Sequence, residues 1–422
     1  MEYKMYKVGS YNIHTIKTDK FKTIKMDIIF RNNFDPKTSA LRSLVFDVLT
    51  ENTKKYNTRR KLCLKYESLY NAYSTMDTTL LGRMLITDFS IEFINPKYTG
   101  ENYLEEVFSL QFETIFNPNI TNGEFDLKTV ELCKKRLIDR IDSVKENPSR
   151  YSILKALKAL DPNSLTSHSI LEDKDQIENA TNEMLISTYN DIIKHDYIDI
   201  FIIGEFDENK IIDLINKYAK FDTIKNHKIE IYNENKTRRI AKKKKEKSEN
   251  SQSQLVVIYN TLNLNDYEMN YVLPIYNMVF GSSSLETKLY KNLRTDNSLC
   301  YGLTSFYQRY DNLLIVLTSL DKKNENLALK LIDKSFNEMS SNITDEEVKR
   351  AIDLKITSLN MINDYPAKIL ETHLFKYLNL APSVDEMIKK FGDVTKEDLF
   401  HVHKKIKKNI TYILTSGGES DE

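Results

Sequence analysis

Closely spaced histidines are the first pattern to look for, because a catalytic zinc or a general base would appear that way. The chain has seven, His14, His168, His195, His227, His373, His401 and His403, and none stands in HExxH, HxxEH or HxxxH spacing. His401 and His403 lie two apart in a predicted helix, which turns them roughly 200° from one another, so they cannot share a metal. Cys63, Cys133 and Cys300 are odd in number and far apart, without a CxxC pair or a catalytic-cysteine signature. Ten glycines form no GxG pair, which excludes a dinucleotide fingerprint and a Walker phosphate loop. A GxSxG nucleophile elbow is missing too. What remains is one segment, Phe280-Gly281-Ser282-Ser283-Ser284-Leu285-Glu286-Thr287-Lys288-Leu289-Tyr290-Lys291-Asn292-Leu293-Arg294, followed by Ser298-Leu299-Cys300-Tyr301-Gly302. By spacing alone, Arg294 reads as a cation at a helix C-terminus, where it complements the dipole. Tyr301 then reads as a half-buried strand aromatic, one of 25 tyrosines.

The elements that must carry this segment show an internal repeat. Ala180-Thr181-Asn182-Glu183-Met184-Leu185 opens a helix leading to the apolar strand Ile198 to Ile203 and Gly204. Val394-Thr395-Lys396-Glu397-Asp398-Leu399 leads likewise to Ile410 to Leu414 and Gly417. In both copies the Thr hydroxyl can accept an unpaired amide of the first helical turn. Val130 begins a helical pattern reaching Pro148, and Val348 begins another reaching Pro366 at the same offset. Helix-then-strand units occur in any α/β protein, but the matching offsets favour a duplication. Strand patterns at Lys22 to Phe30, Asp88 to Ile94 and Leu313 to Leu317 alternate with long amphipathic helices such as Phe125 to Val144. The expected fold is α+β: two homologous lobes, each a mostly antiparallel sheet with helices on one face.

The expected boundaries are 1–225 for the first lobe, 226–253 for a linker and 254–422 for the second. Asn233 to Ser253 is polar throughout and contains Lys242-Lys243-Lys244-Lys245. Such a tetrad reads as a solvated tether, or as a short contact for nucleic acid or acidic lipid. Ser416 to Glu422 reads as a loose tail.

Length and composition bound the rest. At 422 residues, two domains are favoured. With 41% hydrophobic and 29% charged residues the chain can bury sizeable cores. Basic and acidic residues both total 61, so no global field gathers nucleic acid or an anionic membrane. Unpaired cysteines fit a reducing cytoplasm. Met1 to Lys7 carries Glu2, Lys4 and Lys7 and reads as no signal peptide. No apolar run approaches the ~20 residues of a membrane span. A soluble, cytoplasmic protein is expected.

The Phe280 to Gly302 segment resembles the substrate-anchoring motif of the M16 metallopeptidases, the family of pitrilysin, insulin-degrading enzyme and mitochondrial processing peptidase. Their pattern is a small-residue turn, a helix ending in Arg, then Leu, a small residue and Tyr. The resemblance implies two metallohydrolase-type rolls, and it extends to a degraded metal site. Leu44 to Tyr56, ending Glu51-Asn52-Thr53-Lys54-Lys55-Tyr56, sits where the family has HxxEH followed by a Gly-Thr turn. On that alignment Ser43 and Asp47 stand at the metal histidines and Phe46 at the general base. Arg140, on the helix Cys133 to Ser143, stands at the third ligand, a glutamate. This chain would then hold no cofactor, and zinc would belong to a partner.

Leu69-Tyr70-Asn71-Ala72-Tyr73-Ser74-Thr75 resembles the family's edge strand, so Asn71, Ala72, Tyr73 and Ser74 are the expected peptide-pairing residues. Thr18-Asp19-Lys20-Phe21-Lys22-Thr23 helps place the chain near the bacterial non-catalytic branch associated with modification of elongation factor P. That branch pairs with a sister subunit bearing an intact HxxEH motif. The resemblance implies a heterodimer acting on peptides or leader segments, with no nucleic acid and no membrane as partner. Tyr301 would stabilise the oxyanion and Arg294 would hold substrate backbone or a carboxylate. The isolated chain would cut nothing. The alternative is a proteolytically inactive peptide-binding scaffold supporting a modifying enzyme.

Overall fold

Alternating apolar residues build two sheets in a computed structural model of the chain, which describes residues 1–222, 227–235, 237–282 and 284–417. Ser283, the expected lobe boundary at 225 and 226, and the tail beyond 417 lie outside the described residues. The first sheet contains, in spatial order, β1 (Glu2–Val8), β2 (Tyr11–Lys17), β8 (Tyr197–Gly204), β3 (Thr23–Asn33), β5 (Met84–Ile94) and β4 (Tyr73–Leu81). The second contains β11 (Cys300–Gln308), β12 (Leu313–Leu320), β10 (Ser253–Asn260), β13 (Lys407–Ser416) and β9 (Lys242–Ser248). A two-stranded hairpin, β6 (Ile120–Thr121) with β7 (Glu124–Phe125), stands apart from both.

Each large sheet has one parallel pairing, β2 with β8 and β9 with β13, and is antiparallel elsewhere. Laid side by side, β9 answers β2, β13 answers β8, β10 answers β3, β12 answers β5 and β11 answers β4. Among the described residues only β1 has no counterpart. The repeat is visible in the helices too. Thr181 accepts the amide of Met184 at the start of the helix Asn182–His195, and Thr395 accepts that of Asp398 at the start of Lys396–Lys405. Pro148 and Pro366 each begin a helix, where a missing N–H leaves no hydrogen bond unmade.

The cores follow strand alternation. Ile24, Met26, Ile28 and Phe30 of β3 point into a layer with α1 (Ser39–Leu49) and α3 (Leu104–Phe116); α2 (Arg59–Ser68) and α4 (Leu127–Asp142) complete the same face. In the second sheet Leu255, Val257 and Tyr259 of β10 face a similar helical layer. Val256 and Ile258 face α5 (Pro148–Leu160) on the other side, against Leu157 and Leu160. Covered on both faces, β10 is buried at every residue.

The expected boundaries need correction. One compact unit comprises Met1–Asp142, Ile170–Ile231 and Pro366–Leu370; the other comprises Ser143–Ser169, Tyr232–Tyr365 and the described part of Glu371–Glu422. The α5 segment therefore belongs with the second sheet. The larger correction concerns the linker at 226–253. Its lysines form β9, with Lys242 opposite Ile410 and Lys245 opposite Ile413. A terminal strand needs only backbone bonds to its neighbour, so an apolar face is unnecessary. The lysines also have local partners: Lys245 pairs with Glu325 at 2.6 Å, Lys244 with Glu246 at 2.6 Å, and Lys242 donates to the Ala159 carbonyl at 2.7 Å.

No helix among the described residues is long and apolar enough to cross a membrane. Cys63, Cys133 and Cys300 are free thiols.

Candidate functional site

Two places collect the residues singled out in the sequence, one in each unit. In the first unit α1 presents Asp47 and, just past its end, Glu51. Four residues apart, both face α4, which presents Cys133, Arg136 and Arg140 from one side. Arg136 spans both carboxylates. Its Nη1 donates to Glu51 Oε1 at 2.7 Å, and its Nη2 and Nε donate to Asp47 Oδ2 at 3.2 and 3.3 Å. Arg140 lies 3.9 Å from the same Asp47 oxygen. Burial pushes the Asp47 carboxyl above its ordinary value, against the pull of Arg136 and Arg140. Burial also pushes the Cys133 thiol up to about 12, which disfavours its thiolate.

Of the four positions expected to replace the metal site, only Asp47 and Arg140 meet. Ser43 Oγ donates to the Ser39 carbonyl at 3.0 Å, one helical turn back. Phe46 is buried in the core, its ring 5.4 Å from Phe30 and 5.7 Å from Phe89. Sequence reasoning missed Arg136 and Glu51. The signal was their spacing, since Glu51 follows Asp47 by one helical turn and Arg136 precedes Arg140 by one. A zinc ion needs several converging deprotonated ligands, whereas here the one carboxylate at a ligand position is engaged by guanidinium groups. The residues do not fit zinc. No cluster of three or more His, Cys, Asp or Glu that could hold a metal occurs among the described residues.

A cavity of about 410 Å³ opens beside this ion-pair cluster. Tyr73 to Met76 of β4 form one side, Arg59 and Tyr66 of α2 another, and Arg136 and Arg140 reach it from α4. β4 is the terminal strand of its sheet, in unbroken register with β5 from Tyr73–Glu92 to Leu81–Met84. Two of the four expected peptide-edge residues, Tyr73 and Ser74, line the cavity. Asn71 instead sits with Tyr70 in a left-handed turn (φ 58° and 56°), and Ala72 is buried. Turn geometry separates them from the strand, because two successive positive φ angles cannot continue a ladder.

In the second unit, Arg294 and Tyr301 are brought to the start of β11, the terminal strand answering β4. Their mount begins at Gly281, whose carbonyl accepts the Ser305 amide at 2.7 Å. A Cβ there would collide with Leu289 and lie 2.9 Å from Ser305 Oγ, so glycine is required by close approach. Thr287 caps the next helical turn by accepting the Tyr290 amide. The chain then reverses at Ser298 (φ 52°), with the Leu299 amide donating to the Leu293 carbonyl at 2.9 Å. Across this turn Arg294 Nη1 donates to the carbonyl of Cys300, the residue before Tyr301. The register of β11 on β12 slips between Cys300 and Gly302, which makes Tyr301 the bulged residue. A bulge re-aims its side chain, and Tyr301 is 66% exposed. The half-buried strand aromatic expected from spacing alone is not what forms, and Arg294, in the last turn of the helical segment Lys291–Thr295 as expected, also reaches the strand through the Cys300 carbonyl.

This geometry has relatives. The peptidase M16 inactive domain matches residues 179–355, a span that includes both Arg294 and Tyr301. Over that span the chain is similar to the peptidase M16 inactive domain. Over 417 residues, 97% of this chain and 96% of the relative, it is 27% identical to the probable inactive metalloprotease YmfF of Bacillus subtilis (strain 168). The M16-like fold is shared with a conserved protein from Enterococcus faecalis V583, at a TM-score of 0.92 and 23% identity over 99% of this chain and 100% of that one. It is shared also with a peptidase M16 inactive domain from Pseudomonas fluorescens, at a TM-score of 0.80 and 14% identity over all of both chains. Inactive is said there of the relatives, and the guanidinium-filled cluster in the first unit of this chain agrees with it.

Proposed function

We propose that this M16-like chain is the non-catalytic, substrate-holding subunit of a heterodimeric zinc peptidase of the M16B type, working in the cytoplasm on peptides or leader segments. Its sister subunit would carry HxxEH and the zinc. The observation that carries this reading is the mounting of Tyr301: an exposed phenol on a strand bulge, beside a carbonyl fastened by Arg294. Such an arrangement is suited to face a ligand outside its own unit. On this reading Tyr301 donates to the carbonyl under attack, Arg294 keeps the bulge in place or contacts substrate, and this chain binds no stoichiometric zinc.

Mixing the chain with an HxxEH-bearing sister and following peptide cleavage tests it. Tyr301→Phe is expected to lower turnover about 100-fold, corresponding to the ~3 kcal/mol typical of one lost oxyanion donor, with no loosening of the complex. Arg294→Ala should lower it as well. Unchanged turnover in both variants, or one tight zinc per isolated chain by metal analysis, would overturn the proposal.

A second reading, a proteolytically inactive peptide-binding scaffold, is favoured by the cavity beside β4. It requires neither Arg294 nor Tyr301.

A further inference from the structure

β9 and β2 hold matching places in the two sheets, but their outer flanks differ. β2 is covered by β1, in antiparallel register from Glu2–Lys17 to Val8–Tyr11. β9 ends its sheet, so the second sheet has five strands where the first has six. Among the described residues the backbone of β9 makes no backbone hydrogen bond outside its ladder with β13. An edge of this kind offers alternate amides and carbonyls to an extended chain.

The side chains along this edge are strongly cationic. Lys242, Lys243, Lys244, Lys245 and Lys247 stand in a strand whose single acid is Glu246. Successive side chains point to opposite faces. On one face Lys242 ends on the Ala159 carbonyl of α5, and Glu246 serves both Lys244, at 2.6 Å, and Lys155 of α5, at 3.2 Å. On the other face Lys245 meets Glu325 of the helix Glu325–Glu338 at 2.6 Å. Lys243 and Lys247 share that face, are exposed, and form no ion pair among the described residues. Even with Glu325 and Glu249, just past the strand, set against them, cations outnumber carboxylates here.

We propose that the outer edge of β9 docks an acidic extended segment of a partner polypeptide. The segment adds antiparallel as a sixth strand, in the seat that β1 fills in the first sheet. At about 3.4 Å per residue, lysines at alternate positions stand ~7 Å apart, the repeat of carboxylates at alternate positions of an extended chain. Residues directly opposite across the new pair have Cβ atoms ~5 Å apart, within reach of a lysine–carboxylate contact. A second copy of β9 is disfavoured, because like charges would face one another. Nucleic acid or acidic lipid could meet the lysines but would leave the row of amides and carbonyls unpaired, so the free edge selects a polypeptide. This inference goes beyond the proposed function and depends on neither Tyr301 nor the cavity beside β4.

The test uses the full chain and blocked fluorescent peptides of about ten residues, followed by anisotropy. One alternates Glu with Thr, a second alternates Gln with Thr and a third Lys with Thr. The Glu peptide is expected to bind about tenfold tighter than the Gln peptide, from two or three opposite-charge pairs, and salt raised from ~50 to ~500 mM should largely erase that difference. Lys243→Gln with Lys247→Gln should bring the Glu peptide toward the Gln level with an unchanged circular dichroism spectrum, since both side chains are exposed. Lys243→Glu with Lys247→Glu should weaken the Glu peptide further and strengthen the Lys peptide. N-methylation of one alternate set of amides in the Glu peptide should abolish binding, and methylation of the other set should not, because only one set faces β9. Equal affinity for the Glu and Gln peptides overturns the proposal, as does failure of every peptide to bind. A Glu preference unchanged in both double variants places the contact elsewhere and overturns it too. So does indifference to both methylation sets, which removes strand addition. A single-stranded oligonucleotide or a phosphatidylserine vesicle that binds tighter than the Glu peptide, and is released by the same substitutions, replaces the polypeptide as occupant.

Discussion

β4 and β11 occupy the same place in two copies of one sheet, and both place an exposed tyrosine at the strand start, Tyr73 and Tyr301. Each strand is approached through a left-handed turn, at Tyr70 and Asn71 in one copy and Ser298 in the other. The neighbourhoods then diverge. β4 keeps an unbroken ladder and borders a cavity whose wall is an Arg136-centred ion-pair cluster. β11 breaks its ladder at Tyr301 and fastens the break with Arg294. A duplicated scaffold has thus specialised its two open edges differently. One borders a groove, and the other presents a single exposed phenol from a bulge whose backbone is fastened.

The comparison is broken most severely at Arg136. Arg136→Ala leaves Asp47 and Glu51 buried without their shared cation, and is expected to destabilise the chain by ~3 kcal/mol, the low end for a broken buried pair. Urea unfolding measures it, and a loss under ~1 kcal/mol would mean that the cluster does not organise the cavity. Next comes Gly281→Ala, which pushes a methyl against Leu289 and Ser305 beneath the Tyr301 mount. About 2 kcal/mol is expected from such overpacking, read as a lower Tm.

Acid should separate the two units less strongly. In the second, burial, with Lys407 nearby, lowers His403 to about 4 from an ordinary 6.5, and Tyr276 lies 3.0 Å from its Nδ1. The unfolded chain takes up this proton first, so stability is lost as pH falls from about 6.5 toward about 4. In the first, burial raises the carboxyls of Asp27, Asp47, Asp88 and Asp196. There the native state protonates first, and stability rises as pH falls toward the ordinary carboxylate range. Asp199 behaves oppositely: burial opposes its charge, but hydrogen bonds from His14 and Asn12 and the charge of Arg31 outweigh burial and hold it below that range. Its contribution persists until still lower pH. Hydrogen exchange at pH 7 and 5 should therefore show the helix Lys396–Lys405 losing protection while β3 does not. Equal loss in both would contradict this assignment.

The smallest effect sharpens the comparison. Tyr73→Phe and Tyr301→Phe should each leave stability within ~0.5 kcal/mol, because both hydroxyls belong to exposed rings. Only Tyr301→Phe should alter turnover in the complex.

Much of this plan was legible in the residues. Thr181 and Thr395, with Pro148 and Pro366, mark real helix starts because capping and proline placement are local decisions made within one turn. The strand β9 was not legible. Lys242 to Lys247 has no apolar period, and its strand state comes from β13, distant in sequence. Asp47 and Arg140 could be placed from motif spacing, but Arg136 could not. The two lie one turn apart on the same helix, and only side-chain reach decides which guanidinium closes on Glu51. Tyr301 was found by its motif, while the bulge that exposes it depends on the register with β12.

The position of β13 has a kinetic consequence. It lies inside the second sheet, between β10 and β9, yet it is the last strand among the described residues. During synthesis, β10 must wait with one flank unpaired until residues 407–416 emerge more than a hundred residues later. Pairings at such separation form slowly and expose the chain to misassembly while they are awaited. A ribosome paused before that strand would hold an unfinished, adhesive sheet, and the emergence of β13 is what converts it into a stable one.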